Sequence, residues 1–266
     1  MFLAIPFPSI DPILISFGPF AVRWYALSYL AGIIIGWRLL RRRADVSAEN
    51  ISADHIDDFL VWATLGIILG GRFGYVLFYN FQYFAAHPGE ILAMWRGGMS
   101  FHGGFLGVVV AGWIFCKRRD IHPLIFGDMI ACAAPIGLFF GRIANFINGE
   151  LFGRITDAPW GVVFPRGGPD PRHPSQLYEA ALEGVILFII LNLMWRSKTI
   201  RNRRGVLTGT FIAGYAIARM IVELYRQPDA HIGFLTAGST MGQWLSMPML
   251  LIGLGLVAWG WRRAAP

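Results

Sequence analysis

Charge is scarce in this chain: Asp, Glu, Lys and Arg make up 15% of its 266 residues, against 55% hydrophobic residues. Soluble domains carry about a quarter charged residues, so a water-soluble fold is excluded, and a mean hydropathy of +0.52 indicates an integral membrane protein. Cysteine is scarcer still. Cys116 and Cys132 are the only two, both inside apolar runs and not in a CxxC spacing, which excludes a disulfide framework and argues against a metal site. Acidic residues (16) are outnumbered by basic ones (23), for a net charge of +7. In a soluble chain this surplus would invite a nucleic-acid partner. Here the basic residues cluster at the ends of apolar runs, the pattern that orients membrane proteins, and no nucleic acid is expected. A fixed-period repeat, a low-complexity tract and a second soluble segment are also missing, so residues 1–266 are read as one integral-membrane domain. The opening MFLAIPFPSI has no basic n-region, and the first apolar run is expected to stay as an uncleaved anchor.

A helix crossing the hydrocarbon layer needs about 20 residues. Seven apolar runs approach that length: Phe20–Leu40, Phe59–Phe78, Phe101–Cys116, Ile125–Phe140, Leu177–Trp195, Val206–Leu224 and Gly242–Trp261. The expected fold class is therefore all-α, a polytopic bundle of seven transmembrane helices. Arg41–Arg43, Lys117–Arg119, the 196–204 segment and Arg262–Arg263 follow the first, third, fifth and seventh runs. All four fall on one side of an alternating path, which predicts a cytoplasmic C-terminus and an external N-terminus.

That orientation gives each unusual polar residue a depth. His102 opens the third span and His173 precedes the fifth; Arg142 and Asn145 close the fourth, and Tyr25 stands in the first turns of the first. Arg72 and Tyr75 lie in the outward half of the second, while Arg219, Glu223 and Arg226 come late in the sixth at helical spacing. Polar groups from six spans thus share the outer leaflet, where unpaired charge is costly and tends to mark function. The reading requires a cation-lined cavity there. For Arg72, His173, Glu179 and Glu183, buried pairing between helices and substrate contact both remain open. Asp57 and Asp58, at the start of the second run, are expected to be structural, favoured by a helix N-terminus. Gly70, Gly71 and Gly74 are expected to serve packing, and Gly103 and Gly104, beside His102, function.

Arginines at headgroup depth bind phosphate, since guanidinium stays charged and forks onto two oxygens. A histidine nearby can take a proton near neutrality. Cys116 sits at the cytoplasmic end of its run, and Cys132 lies mid-run with no basic residue near it in sequence, so a nucleophile would have to arrive on a second substrate.

The strings HGGFLG, GRIANFINGELFGR, HPSQLYEA and RMIVELYRQPDA, in this order from residue 102 onward, resemble the prolipoprotein diacylglyceryl transferase family over nearly the whole chain. The resemblance implies an enzyme of the bacterial cell inner membrane with its site toward the periplasmic leaflet. It implies transfer of the diacylglyceryl group of phosphatidylglycerol to the lipobox cysteine thiol in the signal peptide of a preprolipoprotein, the first step of lipoprotein maturation. It carries catalytic roles onto His102, Arg142 and Arg219, and substrate-binding roles onto Tyr25, Arg142, Asn145, Glu150, Gly153 and Glu223. No cofactor is implied.

A free thiol has a pKa of about 8.5, so the reaction needs a base or a positive field to raise the thiolate fraction, and His102 is the candidate base. Arg142 and Arg219 would stabilise charge developing on the departing phosphate. Glu150 and Glu223 are expected to hold the arginines. A lipid transporter or scramblase would use the same arginines but predicts broken helices and an internal repeat, and neither is visible. A phospholipase-like enzyme would share the lipid and differ in its acceptor.

Overall fold

The computed structural model describes residues 5–8, 10–18, 20–44, 46–47, 51–228 and 233–263. The chain divides into two compact units, one formed by Leu40–Phe126 and the other by the residues before and after it. The helices are α1 (Trp24–Ala44), α2 (Ala53–Phe78), α3 (Phe81–Ala86), α4 (Phe101–Arg118), α5 (Pro123–Ile147), α6 (Ser175–Glu179), α7 (Leu187–Arg196), α8 (Lys198–Arg201), α9 (Val206–Val222) and α10 (Met241–Arg262). A π-helical segment, Ala180–Ile186, joins α6 to α7, giving one continuous helix, Ser175–Arg196. Each of the seven apolar runs is thus helical for most of its length. Among the described residues, four helices are long and apolar enough to cross a membrane: α2, α5, Ser175–Arg196 and α10; α9 is apolar but shorter.

Among the described residues, two small sheets qualify the all-α expectation. Strand β2 (Ile13–Phe17) pairs antiparallel with β3 (Phe20–Arg23), and β1 (Ile5–Pro6) runs parallel to β4 (Val162–Val163). The fold is mostly helical; β3 takes the first four residues of the Phe20–Leu40 run, whose helix begins only at Trp24.

In the Leu40–Phe126 unit, α2 starts six residues before the apolar run that marked it. Ser52 caps it, its hydroxyl accepting from the His55 backbone N–H while its own N–H donates to His55 Nδ1. Asp57 and Asp58 therefore lie beyond the first turn. They pair with Arg41 and Arg119, so ion pairing, rather than the helix dipole expected from the sequence, gives them their structural role. Helices α2 and α4 meet along a seam of glycines spaced four apart, the arrangement that lets helix backbones approach in lipid. A Cβ on Gly66 would stand 2.7 Å from the Gly107 carbonyl oxygen, and one on Gly74 would stand 2.7 Å from Gly103 Cα. Gly103, expected to serve the neighbouring histidine, thus has a packing reason of its own.

In the other unit, α9 packs on α10 and on the π segment. Asp128 of α5, almost fully buried, holds the start of α9 by accepting from Gly205 N (2.7 Å), Thr208 N (2.6 Å) and Thr208 Oγ1 (2.8 Å). The loop between α5 and α6 is stitched to the end of α9 by a backbone bridge between Gly153 and Arg226. Within the same unit Phe7, Phe146 and Phe152 each pack against Phe164, the Phe152 ring stacked on it, Phe7 tilted and Phe146 edge-on. That loop, polar and Gly-rich in sequence, is a folded platform.

Candidate active site

Three helices of the larger unit bring their charges to one place. Glu179, the last residue of α6, has no exposed surface. Its Oε1 receives Arg219 Nη1 of α9 at 2.5 Å and Arg226 Nη1 at 3.2 Å, and its Oε2 faces Arg142 Nη1 of α5 at 3.1 Å. Glu183, one turn on in the π segment and equally buried, accepts from Arg142 Nη2 (3.2 Å) and Nε (3.3 Å). Glu223 pairs with Arg219 one turn earlier on its own helix. A π segment carries wide i→i+5 turns and is frequent at functional sites; here it carries Glu183 toward Arg142.

Arg142, Arg219 and Arg226 thus face Glu179, Glu183 and Glu223, three charges against three. The cavity is not simply cation-lined, as the sequence suggested. Burying cations in an apolar setting without partners costs several kcal/mol per ion, and the carboxylates supply the partners. Each guanidinium has five N–H groups. The contacts of Arg142 and of Arg219 with the carboxylates engage at most three of them, and their side chains keep 17% and 16% exposure. Both arginines can still donate to a ligand.

The cluster continues outward. Thr240, before α10, donates its hydroxyl to Glu223 Oε2 at 2.6 Å, and a Cβ on Gly242 would come 2.5 Å from Glu223 Cδ. A small pocket of about 30 Å³ opens here, lined by Arg219, Glu223, Arg226, Gln227, Thr240 and Gly242 among others. Arg154 spends its fork on two backbone carbonyls, Nε to Arg226 O and Nη2 to Glu223 O, both at 2.9 Å, which fixes the chain leaving α9. Gly153 is obligatory, since a Cβ would meet the carbonyl oxygen of Tyr225 at 2.5 Å and His173 Cβ at 2.7 Å.

Glu150 does not hold an arginine. Its Oε1 accepts from Asn145 Nδ2 (2.8 Å) and Asn148 Nδ2 (3.3 Å), so it orients two amides, and the carboxylates on the arginines are Glu179, Glu183 and Glu223. Tyr25, near the start of α1, shares a 3.1 Å hydroxyl contact with Tyr29 and lies within electrostatic range of Glu150 and Arg142. His173 accepts or donates through Nδ1 to Tyr178 OH at 3.0 Å and packs edge-on against Tyr225. Burial and the Arg154 charge hold its pKa below the ordinary imidazole value.

His102 belongs to the other unit. It is exposed in the first turn of α4, edge-on to Phe101. Arg72, in the same unit, is buried and bonded to backbone carbonyls only.

The sequence reading left Glu179 and Glu183 open and missed Thr240 and Gly242. Two carboxylates four apart inside an otherwise apolar run must find partners, which was the available signal for the first pair. Thr240 and Gly242 carried none beyond a helix-capping pattern.

The model of the prolipoprotein diacylglyceryl transferase family matches residues 12–259. The chain belongs to the prolipoprotein diacylglyceryl transferase family. It is 56% identical over 266 residues to the phosphatidylglycerol–prolipoprotein diacylglyceryl transferase of Paramagnetospirillum magneticum, covering 100% of this chain and 99% of the relative. The enzymes of the same name in Rhodospirillum rubrum and Azospirillum brasilense are 54% and 56% identical, over 100% and 99% of this chain and 97% and 99% of theirs. Membership in this transferase family fits a site built on guanidinium groups with N–H to spare.

Proposed function

We propose that this chain transfers the diacylglyceryl group of phosphatidylglycerol to the lipobox cysteine thiol of a preprolipoprotein, the first step of lipoprotein maturation. The cysteine sulfur forms a thioether bond to the glycerol carbon, the bond from that carbon to the phosphate oxygen breaks with its electron pair staying on oxygen, and glycerol phosphate leaves. The thiol proton passes to a base, for which His102 is proposed on the strength of its motif and its exposure at the start of α4.

The observation that carries the reading is the convergence of Arg142 and Arg219 on one buried carboxylate, in a chain whose full-length relatives bear that name. Paired guanidinium groups with unspent N–H stabilise a departing phosphate more than a bound diester, because the charge on its oxygens grows as the bond breaks. Asn145, fixed by Glu150, and Tyr25 are proposed to position the headgroup. Glu223 and Gly153 are proposed to support the substrate-binding wall.

The same reading takes the two compact units as parts of one integral-membrane transferase domain of seven spans in the bacterial inner membrane. Its basic clusters face the cytoplasm, its N-terminus lies outside, and its site opens toward the periplasmic leaflet; the distribution of Lys and Arg supports this orientation. Purified protein given phosphatidylglycerol and a lipobox peptide is expected to yield diacylated peptide and glycerol phosphate. His102→Ala and Arg142→Ala should each cut product formation to a small residual rate, and full activity in both variants would sink the site. Release of free diacylglycerol without peptide modification would replace the transferase reading with a hydrolytic one.

A further inference from the structure

We propose that Arg72 is a positioning residue for His102, acting through the 90–100 segment; the inference rests on the reading of His102 as the base. Arg72 sits in α2 with 4% exposure. Its Nε donates to Ile91 O (2.6 Å), Nη1 to Gly97 O (2.6 Å) and Gly98 O (3.1 Å), and Nη2 to Glu90 O (2.9 Å) and Ala93 O (3.4 Å). The ring of Phe84 covers the guanidinium, 5.0 Å from Cζ. Five carbonyls thus take up the five N–H groups that a guanidinium offers. Nothing is left for a phosphate, and the headgroup role that the sequence left open does not suit this side chain.

What the fork holds is the chain that delivers α4. The Gly97–Gly98 pair it grips leads within two residues to Ser100, whose N–H donates to Gly71 O at 2.8 Å, beside Arg72 itself. Ser100 Oγ in turn accepts from Gly103 N at 3.1 Å and caps α4. A Cβ on Gly98 would fall 2.7 Å from Tyr75 Cδ1, so the Tyr75 ring packs the same segment from the next turn of α2. Contacts from two consecutive turns of α2, at Gly71 and Arg72 and then at Tyr75, therefore set where the first turn of α4 begins, and His102 is the second residue of that turn. A lysine would keep the charge and lose the fork, since an ammonium has three donors at a single point.

A stabilising role and a positioning role predict different kinetics. The test is Arg72→Lys, assayed as folded protein with phosphatidylglycerol and a lipobox peptide, in the wild-type and His102→Ala backgrounds. In the wild-type background kcat is expected to fall about a hundredfold, the loss that a displacement of roughly 1 Å at a reacting group brings. The lipid KM should stay within about twofold, and in the His102→Ala background the substitution should cost nothing further, since residues acting as a unit are non-additive. Wild-type kcat in folded Arg72→Lys, or the same fractional loss in both backgrounds, overturns the proposal while leaving His102 as the base. Full activity of His102→Ala alone overturns the base reading and the positioning role with it. Should Arg72→Lys not accumulate, Tyr75→Leu removes the ring packed on Gly98 without touching the guanidinium and carries the same comparison.

Discussion

Replacing Glu179 by glutamine keeps its size and removes the one charge that Arg142, Arg219 and Arg226 share. Three effects follow, and their signs differ. Taking one partner out of a buried ion-pair group costs about 3 to 5 kcal/mol of stability, at the upper end here because a single carboxylate serves three cations and the new amide turns N–H toward at least one of them. Removing a negative charge also strengthens phosphate binding. At roughly 5 Å and an effective dielectric of about 20, one unit charge is worth about 3 kcal/mol, so the lipid KM is expected to fall severalfold, Glu183 and Glu223 absorbing the rest. The arginines, no longer registered on one carboxylate, lose their spacing, and a shift of about 1 Å costs about a hundredfold in kcat. The last effect wins: kcat/KM falls by tenfold or more although substrate is held more tightly. Initial rates of peptide diacylation against phosphatidylglycerol concentration in mixed micelles, with the thermal midpoint of the same preparation, read all three quantities. A folded Glu179→Gln enzyme with wild-type kcat would refute the reasoning, because registration of the arginines would then contribute nothing to the chemical step.

Other perturbations test the frame around the site. Asp128→Ala strips three hydrogen bonds from the start of α9 and should cost roughly 2 to 4 kcal/mol, read as a lowered midpoint in a thermal melt; an unchanged melt would deny that Asp128 anchors α9. Gly103→Ala drives a methyl group into the Gly70 carbonyl and should sharply reduce the yield of folded protein, whereas Gly137→Ala, with nothing within 4 Å of the new Cβ, should be neutral or stabilising by up to about 1 kcal/mol. Equal yields from the two would remove the argument for a glycine seam. His173 has its pKa held below the ordinary value by burial and by Arg154, so below about pH 6.5 the unfolded chain takes up a proton at this position before the folded one does. The stability it contributes is therefore complete above that pH and is lost as pH falls further; the thermal midpoint should drop between pH 7 and 5.5, less steeply in His173→Gln. Parallel curves for the two proteins would contradict the assignment.

The helices were legible because lipid demands runs of about 20 apolar residues and because arginine clusters close several of them. Their ends were less so. The start of α2 contains Asp54, Asp57 and Asp58, which an apolar window rejects, yet Ser52 caps it and Arg41 and Arg119 neutralise the second and third of these carboxylates. Helix α5 runs seven residues beyond Phe140 to Ile147 because Arg142, once paired with Glu179 and Glu183, can stay helical inside the bundle. Strands β2 and β3 escaped notice since Ile13, Leu14 and Ile15 of β2 show no alternation and β3 is itself the apolar start of the first run. Arg142, Arg219 and Glu223 stood out against apolar surroundings, and the Arg219–Glu223 pair was legible from its one-turn spacing, but the partners that arginines meet across helices could not be read. Arg142 and Glu183 are 41 residues apart and Arg226 and Glu179 are 47 apart, distances over which spacing says nothing about contact.

The neutrality of the cluster bears on how the proposed reaction gains its rate. A cavity of unpaired arginines would bind any anion tightly, the intact diester included, and tight ground-state binding does not lower the chemical barrier. Three guanidinium groups already paired to three carboxylates exert little net field on a singly charged headgroup. Their remaining N–H groups still act at short range, where the oxygen of the breaking bond gains charge. The carboxylates therefore do more than make buried arginines tolerable. By cancelling the long-range attraction and leaving the directional hydrogen bonds, they bias the site toward the departing phosphate over the bound lipid, and the opposite movements of KM and kcat expected for Glu179→Gln follow from that bias.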